Sequence, residues 1–222
     1  ARWVPGARAS VSVIPPPVGR EFRPHPAPPR GDRLRLLHVG TKKNKNLPRV
    51  IEACGGLPVT LVIIGRVDRA CFSRLRELGV AHENSSDLDD AALLEVYQRS
   101  DALIFASTYE GFGMPIVEAQ AVGRPVITSR LCSMPEASGG AACLVDPFDI
   151  GDIRRGIVRL IQDRDYGAEL VRRGYENAAR HTPERIAAAY AALYRRAHAG
   201  ARCPSAGPAT ALRGRRRAGA AG

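Results

Sequence analysis

Residues 103–130 read LIFASTYEGFGMPIVEAQAVGRPVITSR. An apolar run, Leu103-Ile104-Phe105, ends in a polar loop. A stretch of helix length, Met114–Val122, follows and closes at Gly123. A second apolar run begins at Pro125. The first run has no polar side for water, which is the mark of a parallel strand covered on both faces. The stretch therefore predicts one strand–helix–strand unit of an α/β sheet.

Working outward, the same alternation continues. Strands are expected at residues 34–39, 60–64, 102–105, 125–127 and 143–145, with a poorly defined one near Val80. Helices are expected at 46–54, 69–78 (closed by Gly79), 88–100 and 114–122, and two or three more span 150–199. Short connections between alternating elements predict a single doubly wound parallel sheet. Upstream, only residues 11–14 have strand character, before Pro15-Pro16-Pro17 stops it.

The chain has 222 residues and a formal net charge of +11. That charge is unevenly placed. Residues 1–35 hold seven Arg against two acids, and residues 201–222 hold five Arg and no acid. The stretch between them is left at +1. The excess sits in Pro-, Ala- and Gly-rich ends, so solvated, disordered tails are expected rather than a nucleic-acid-binding face. No apolar run approaches the roughly 18 residues of a membrane span. The start has neither Met nor a signal-peptide pattern, so the chain reads as the downstream part of a longer product. Cys54, Cys71, Cys132, Cys143 and Cys203 are scattered, without CxxC or metal spacing to His. A reducing, cytoplasmic setting and no metal site are expected. Peripheral contact with the inner face of a membrane is the alternative setting for the basic ends.

Ligands of doubly wound sheets bind outside the carboxyl ends of the strands. This selects the loops at 40–45, 65–68, 106–113 and 128–134. The first holds all three lysines of a chain that otherwise uses Arg: Lys42, Lys43 and Lys45. It leads into a helix start, where free N–H groups and a compact ammonium suit phosphate. A solvated loop is the bland alternative. Lys45 borders the helix and is the first choice for phosphate.

In the third loop, Gly111 and Gly113 permit close backbone approach, and Pro115 suits a first helical turn. The amides around Gly113, Met114, Pro115 and Ile116 are then expected to face the crevice. Glu110 and Glu118 place carboxylates at the loop and the opening turns, able to accept hydroxyl hydrogen bonds; helix-start charges are the alternative. His38 lies inside a strand and reads as core rather than as a base. No GxGxxG, P-loop or GxSxG motif is present, which argues against nicotinamide dinucleotides, P-loop chemistry and a serine nucleophile.

The run at 103–130, with two Glu separated by seven residues, resembles the signature of glycosyltransferase family 4. Upstream, VGTKKNKNLPRVIEA (residues 39–53) resembles the family's diphosphate loop and following helix. Ser133-Met134-Pro135-Glu136 and residues 142–147 match its next loop and strand. Together these cover roughly residues 34–194.

The resemblance implies a GT-B fold, of which this chain is the C-terminal Rossmann-like half. It implies a nucleoside-diphosphate sugar donor, transfer of a hexosyl group with retention to a glycan or lipid-linked acceptor, and no metal or other cofactor. Glu118 would hold the ribose hydroxyls, Glu110 the transferred sugar and Lys45 the diphosphate. Gly111, Phe112, Gly113, Met114, Pro115 and Ile116 would line the donor, with Thr41, Lys42, Gly65 and Arg66 on the facing loops. Members often carry Arg a few residues before that Lys; Thr41, Lys42 and Lys43 stand there, and Arg66 is the substitute. The implied division is a linker at 1–33, a donor-binding domain at 34–199 and a basic tail at 200–222. The acceptor would sit on a missing N-terminal domain or a partner chain, leaving this chain inactive alone and apolar surface exposed around the cleft. A non-catalytic nucleotide-sugar-binding module is the alternative function.

Overall fold

A computed structural model describes residues 12–28 and 31–200 of the chain. Six strands form one parallel sheet in the order β3-β2-β1-β4-β5-β6. They are β1 (Leu34–Val39), β2 (Val59–Ile64), β3 (Ala81–Ser85), β4 (Ala102–Phe105), β5 (Val126–Ser129) and β6 (Cys143–Val145). The helices are α1 (Leu47–Cys54), α2 (Arg69–Glu77), α3 (Asp90–Arg99), α4 (Met114–Val122), α5 (Met134–Ser138), α6 (Ile150–Gln162), α7 (Arg164–Ala178) and α8 (Pro183–Gly200).

The strand order makes the sheet doubly wound, with the topological switch between β1 and β4. Alternate strand residues feed two cores. Leu36, Leu61, Ile104 and Ile127 pack with α1, α2 and α6 residues such as Ile51, Leu75 and Ile157. Leu37, Val62, Leu103 and Val126 pack with Tyr97 of α3, Ile116 and Val122 of α4, and Ala137 of α5. Helix α4 carries apolar residues all round because it is covered on nearly every side.

Three sequence expectations change. The strand expected at residues 11–14 does not form over residues 12–14, and Val11 lies outside the described residues. The prolines that follow offer no N–H to a ladder. Residues 12–28 form instead an irregular strap: the Val18 amide donates to the His181 carbonyl (2.8 Å) and the His25 amide to that of Val122 (3.2 Å). Val18 is buried with Val117, Ala121 and Ala178. The short helix α5 stands where a loop was expected, because five residues cannot display a helical period. The third strand is an edge strand, mostly exposed, which explains its weak apolar pattern. The expected basic tail lies outside the described residues beyond Gly200. Among the described residues no helix is long and apolar enough to cross a membrane.

His38 is core, as its strand position suggested: it is fully buried. Burial pushes its pKa down to about 4. The folded imidazole is therefore neutral where the unfolded one, with an ordinary pKa near 6.5, already binds a proton. Stability is expected to fall by about 3 kcal/mol as pH drops from about 7 through 4. Urea unfolding across that range should show the loss, and His38→Leu should flatten it.

Candidate active site

The two loops beside the switch point converge. After β1, the Gly40 amide donates to the Ile64 carbonyl (2.7 Å), and a single 3-10 turn at Lys43–Lys45 runs into α1. After β4, the Thr108 amide donates to the Asn44 carbonyl (2.8 Å). The loops are thus joined backbone to backbone before any side chain is considered.

Asn46 locks the junction. It adopts φ +63°, a conformation that Asn tolerates better than most residues. Its buried side-chain amide donates to the carbonyls of Ala106 (3.0 Å) and Pro147 (2.7 Å). One side chain therefore ties together the loops that follow β1, β4 and β6.

Lys45 and Glu110, 65 residues apart in sequence, meet in this crevice at 2.8 Å. Their side chains are 17% and 14% exposed, so the pair is largely shielded from water. The Lys45 ammonium also stands 4.4 Å from the Phe105 ring centroid. Asn44 donates to the same Glu110 Oε1 (3.2 Å) and to the Tyr109 carbonyl (2.9 Å). The Ser133 hydroxyl donates to the Glu110 carbonyl (3.0 Å), bringing the loop after β5 against the same turn.

The turn into α4 holds Gly113 at φ +106°. That conformation favours glycine, and a Cβ there would lie 3.1 Å from Ile116 Cδ1, close enough that the isoleucine would have to shift. Of the amides expected to face the crevice, Pro115 has no N–H and Ile116 donates to the Gly113 carbonyl (3.0 Å). Gly113 and Met114 carry the turn's N–H groups that have no hydrogen-bond partner among the described residues. They sit at the positive end of α4.

Glu118 lies one turn further along, half-buried. Tyr97 of α3 donates its hydroxyl to Glu118 Oε2 at 2.7 Å. Burial pushes the Glu118 carboxyl above its ordinary pKa, while the Tyr97 hydroxyl pulls it back.

The remaining expected residues are spread more widely. Thr41 packs on Gly65, where φ is +124° and a Cβ would meet the threonine side chain at 3.1 Å. Lys42 and Lys43 are exposed. Arg66 is exposed and its partner is Asp87 (3.3 Å), not the Lys45–Glu110 pair. Gly111 is exposed, and Phe112 lies 5.5 Å from the His181 ring. Exposed Tyr109 and Phe148 place aromatic surface on the loops after β4 and β6. Among the described residues no group of three His, Cys, Asp or Glu side chains is placed to hold a metal ion.

Asn44, Asn46 and Tyr97 belong to this arrangement without having been singled out in the sequence, and Ser133 was named there only within the Ser133–Glu136 match. Only Asn46 had a local signal, an Asn immediately before a helix that opens Leu47-Pro48.

A family model described as "Glycosyl transferases group 1" matches residues 20–181. The chain belongs to the group 1 glycosyl transferases. It is 36% identical over 89 residues to O-antigen chain mannosyltransferase B of Escherichia coli, covering 40% of this chain and 23% of that protein. It is 31% identical over 177 residues to D-inositol 3-phosphate glycosyltransferase of Corynebacterium urealyticum, covering 75% and 41%. The chain thus spans less than half the length of these relatives. Sucrose-phosphate synthase from Thermosynechococcus elongatus shares the fold, with a TM-score of 0.74 at 24% identity over 90% of this chain and 55% of that one. Anabaena Alr3699/HepE, solved in complex with UDP and glucose, superposes with a TM-score of 0.65 at 18% identity, over 76% and 49%. Each match covers about half of the solved chain, as one Rossmann-like half of a GT-B fold would.

Proposed function

We propose that this group 1 glycosyl transferase chain is the donor-binding half of a retaining family 4 enzyme. It takes a nucleoside-diphosphate sugar whose hexosyl group passes to a glycan or lipid-linked acceptor held by another domain or chain. The observation that carries this reading is the shielded Lys45–Glu110 pair on the two joined loops at the switch point, with the unpaired Gly113 and Met114 amides at the start of the helix that follows Glu110. A diphosphate suits the ammonium and the two N–H groups. Glu110, already beside the ammonium, is placed for hydroxyls of the transferred sugar. Glu118 on the next turn is placed for the ribose diol. Breaking the bond to the sugar builds charge on the diphosphate, which a preformed, shielded cation stabilises best. The reading expects no metal ion, that charge falling to Lys45 and the helix start.

Ligand-observed NMR with UDP-, GDP- and ADP-sugars tests it. Saturation transfer to the ribose of one nucleotide is expected, reduced at least several-fold in Glu118→Ala. Equal transfer in the variant removes Glu118 from the ribose site; no transfer with any of the three, from folded protein, removes the donor reading.

A further inference from the structure

Tyr97 is the buried residue of α3, a helix that otherwise lies half-exposed on its sheet face. A fully buried phenol needs a hydrogen-bond partner, and this one has Glu118 Oε2. The other carboxylate oxygen, Oε1, has no hydrogen-bond partner among the described residues and is not a buried orphan, so it opens to solvent. One oxygen is held and one is presented. The ring is held by one neighbour and its backbone by another. Phe22 of the strap meets its ring edge-on at 5.5 Å and 85°. The buried Arg124 guanidinium donates to the Tyr97 carbonyl (3.2 Å) and to those of Gln98 (2.8 Å) and Pro26 (2.9 Å).

Resting on the ribose role given above to Glu118, we propose that Tyr97 is a positioning residue of the donor site. Its hydroxyl fixes the Glu118 carboxylate so that the free oxygen meets the nucleotide's vicinal hydroxyls. A core tyrosine with an incidental acceptor would need no carboxylate, since a backbone carbonyl would serve. A half-buried carboxylate without the phenol would be easier to protonate and free to rotate. The charged groups that bear on it are Glu21 of the strap and Asp90 of α3, which disfavour its ionised form, and Lys45, which favours it.

The test measures dissociation constants for UDP, GDP and ADP, each against its 2′,3′-dideoxy counterpart. It uses the full chain as wild type, Tyr97→Phe and Glu118→Gln, between pH 5 and 8. Removing the hydroxyl should weaken the preferred ribonucleotide about tenfold and leave its dideoxy counterpart unchanged. The sign of the pH effect follows from the lost hydrogen bond to the charged form. Glu118 protonates more easily in Tyr97→Phe, so the affinity lost as pH falls begins to go at a higher pH. Unchanged affinity and an unmoved pH midpoint overturn the positioning role while leaving the donor site intact. If Glu118→Gln leaves the ribose-to-dideoxy preference unchanged, the ribose role of Glu118 fails and this proposal with it.

A second measurement needs neither ligand nor a folded Tyr97→Phe variant. With carbon-13 at tyrosine Cζ, one tyrosine signal should shift with the Glu118 titration and cease to shift in Glu118→Gln. No titrating tyrosine signal overturns the proposal.

Discussion

Lys45→Ala is expected to weaken nucleoside-diphosphate binding about 100-fold, the equivalent of roughly 3 kcal/mol. A hydrogen bond to a charged partner contributes about 1.5–3 kcal/mol, and three features place this one at the upper end. The Lys45 side chain is 17% exposed, so little water competes for it. The Phe105 ring 4.4 Å away lowers the local polarity around it. Its loss also leaves the Glu110 carboxylate, 2.8 Å away in the native pair, facing an incoming diphosphate with no cation between them. Lys45→Arg should recover only part of the affinity. A Cβ on Gly40 would stand 2.9 Å from Lys45 Cε, so the lysine stem runs close against that backbone. A planar guanidinium has a different shape and reach.

Isothermal titration of the free diphosphates measures this. An effect below threefold for Lys45→Ala would remove the residue from the phosphate site. Glu110→Gln is the informative companion. It should leave the free diphosphate bound as well or better, since the competing carboxylate is gone. The preference for the sugar nucleotide over the free diphosphate should be lost.

The second large effect is on stability: Arg124→Ala should lower the free energy of unfolding by about 4 kcal/mol, read from urea denaturation. Arg124 is 2% exposed. It donates to five carbonyls, those of Tyr97, Gln98, Gly123, His25 and Pro26. Burial lowers its pKa, yet a guanidinium starts so far above neutrality that it keeps its charge. Truncation empties the volume and leaves several carbonyls without their donor, each a loss of about 1–3 kcal/mol where water cannot replace it. The strap is held at His25 and Pro26 by this side chain together with the His25 amide on the Val122 carbonyl, so limited proteolysis should cut near residues 25–26 first in the variant. A change in stability below about 1 kcal/mol would mean that water or neighbouring groups satisfy those carbonyls without the arginine.

The core elements were legible because the physics that forms them is local. The run Leu103-Ile104-Phe105 has no polar side, which sets β4 inside a covered sheet. Gly123, at φ +85°, marks the end of α4 in a backbone conformation that other residues rarely adopt. Strands β1, β4 and β6 and helix α4 begin and end where their patterns predict. Less legible were the elements whose burial comes from elsewhere. Strand β3 is exposed at a sheet edge, and α5 is too short for a period to show. The strap looks like a proline-rich tail because its contacts are with α3, α4, α7 and the turn after α7, all 75 or more residues away.

The same division runs through the site. The chain's own order of residues determined a doubly wound parallel sheet, the loops that a ligand can reach, and a glycine-bounded turn flanked by Glu110 and Glu118. It also set three lysines beside a helix start. Each follows from hydrophobic period, chain stereochemistry or spacing within a few residues. Only the tertiary structure decided which of those lysines meets Glu110, that Arg66 turns instead to Asp87, and that Asn46 clamps three loops at once. Only it brought the Tyr97 phenol to Glu118. These are contacts between residues 21 to 101 positions apart. They depend on how the helices and loops settle against the sheet, where small differences in packing redirect a side chain that no local pattern constrains.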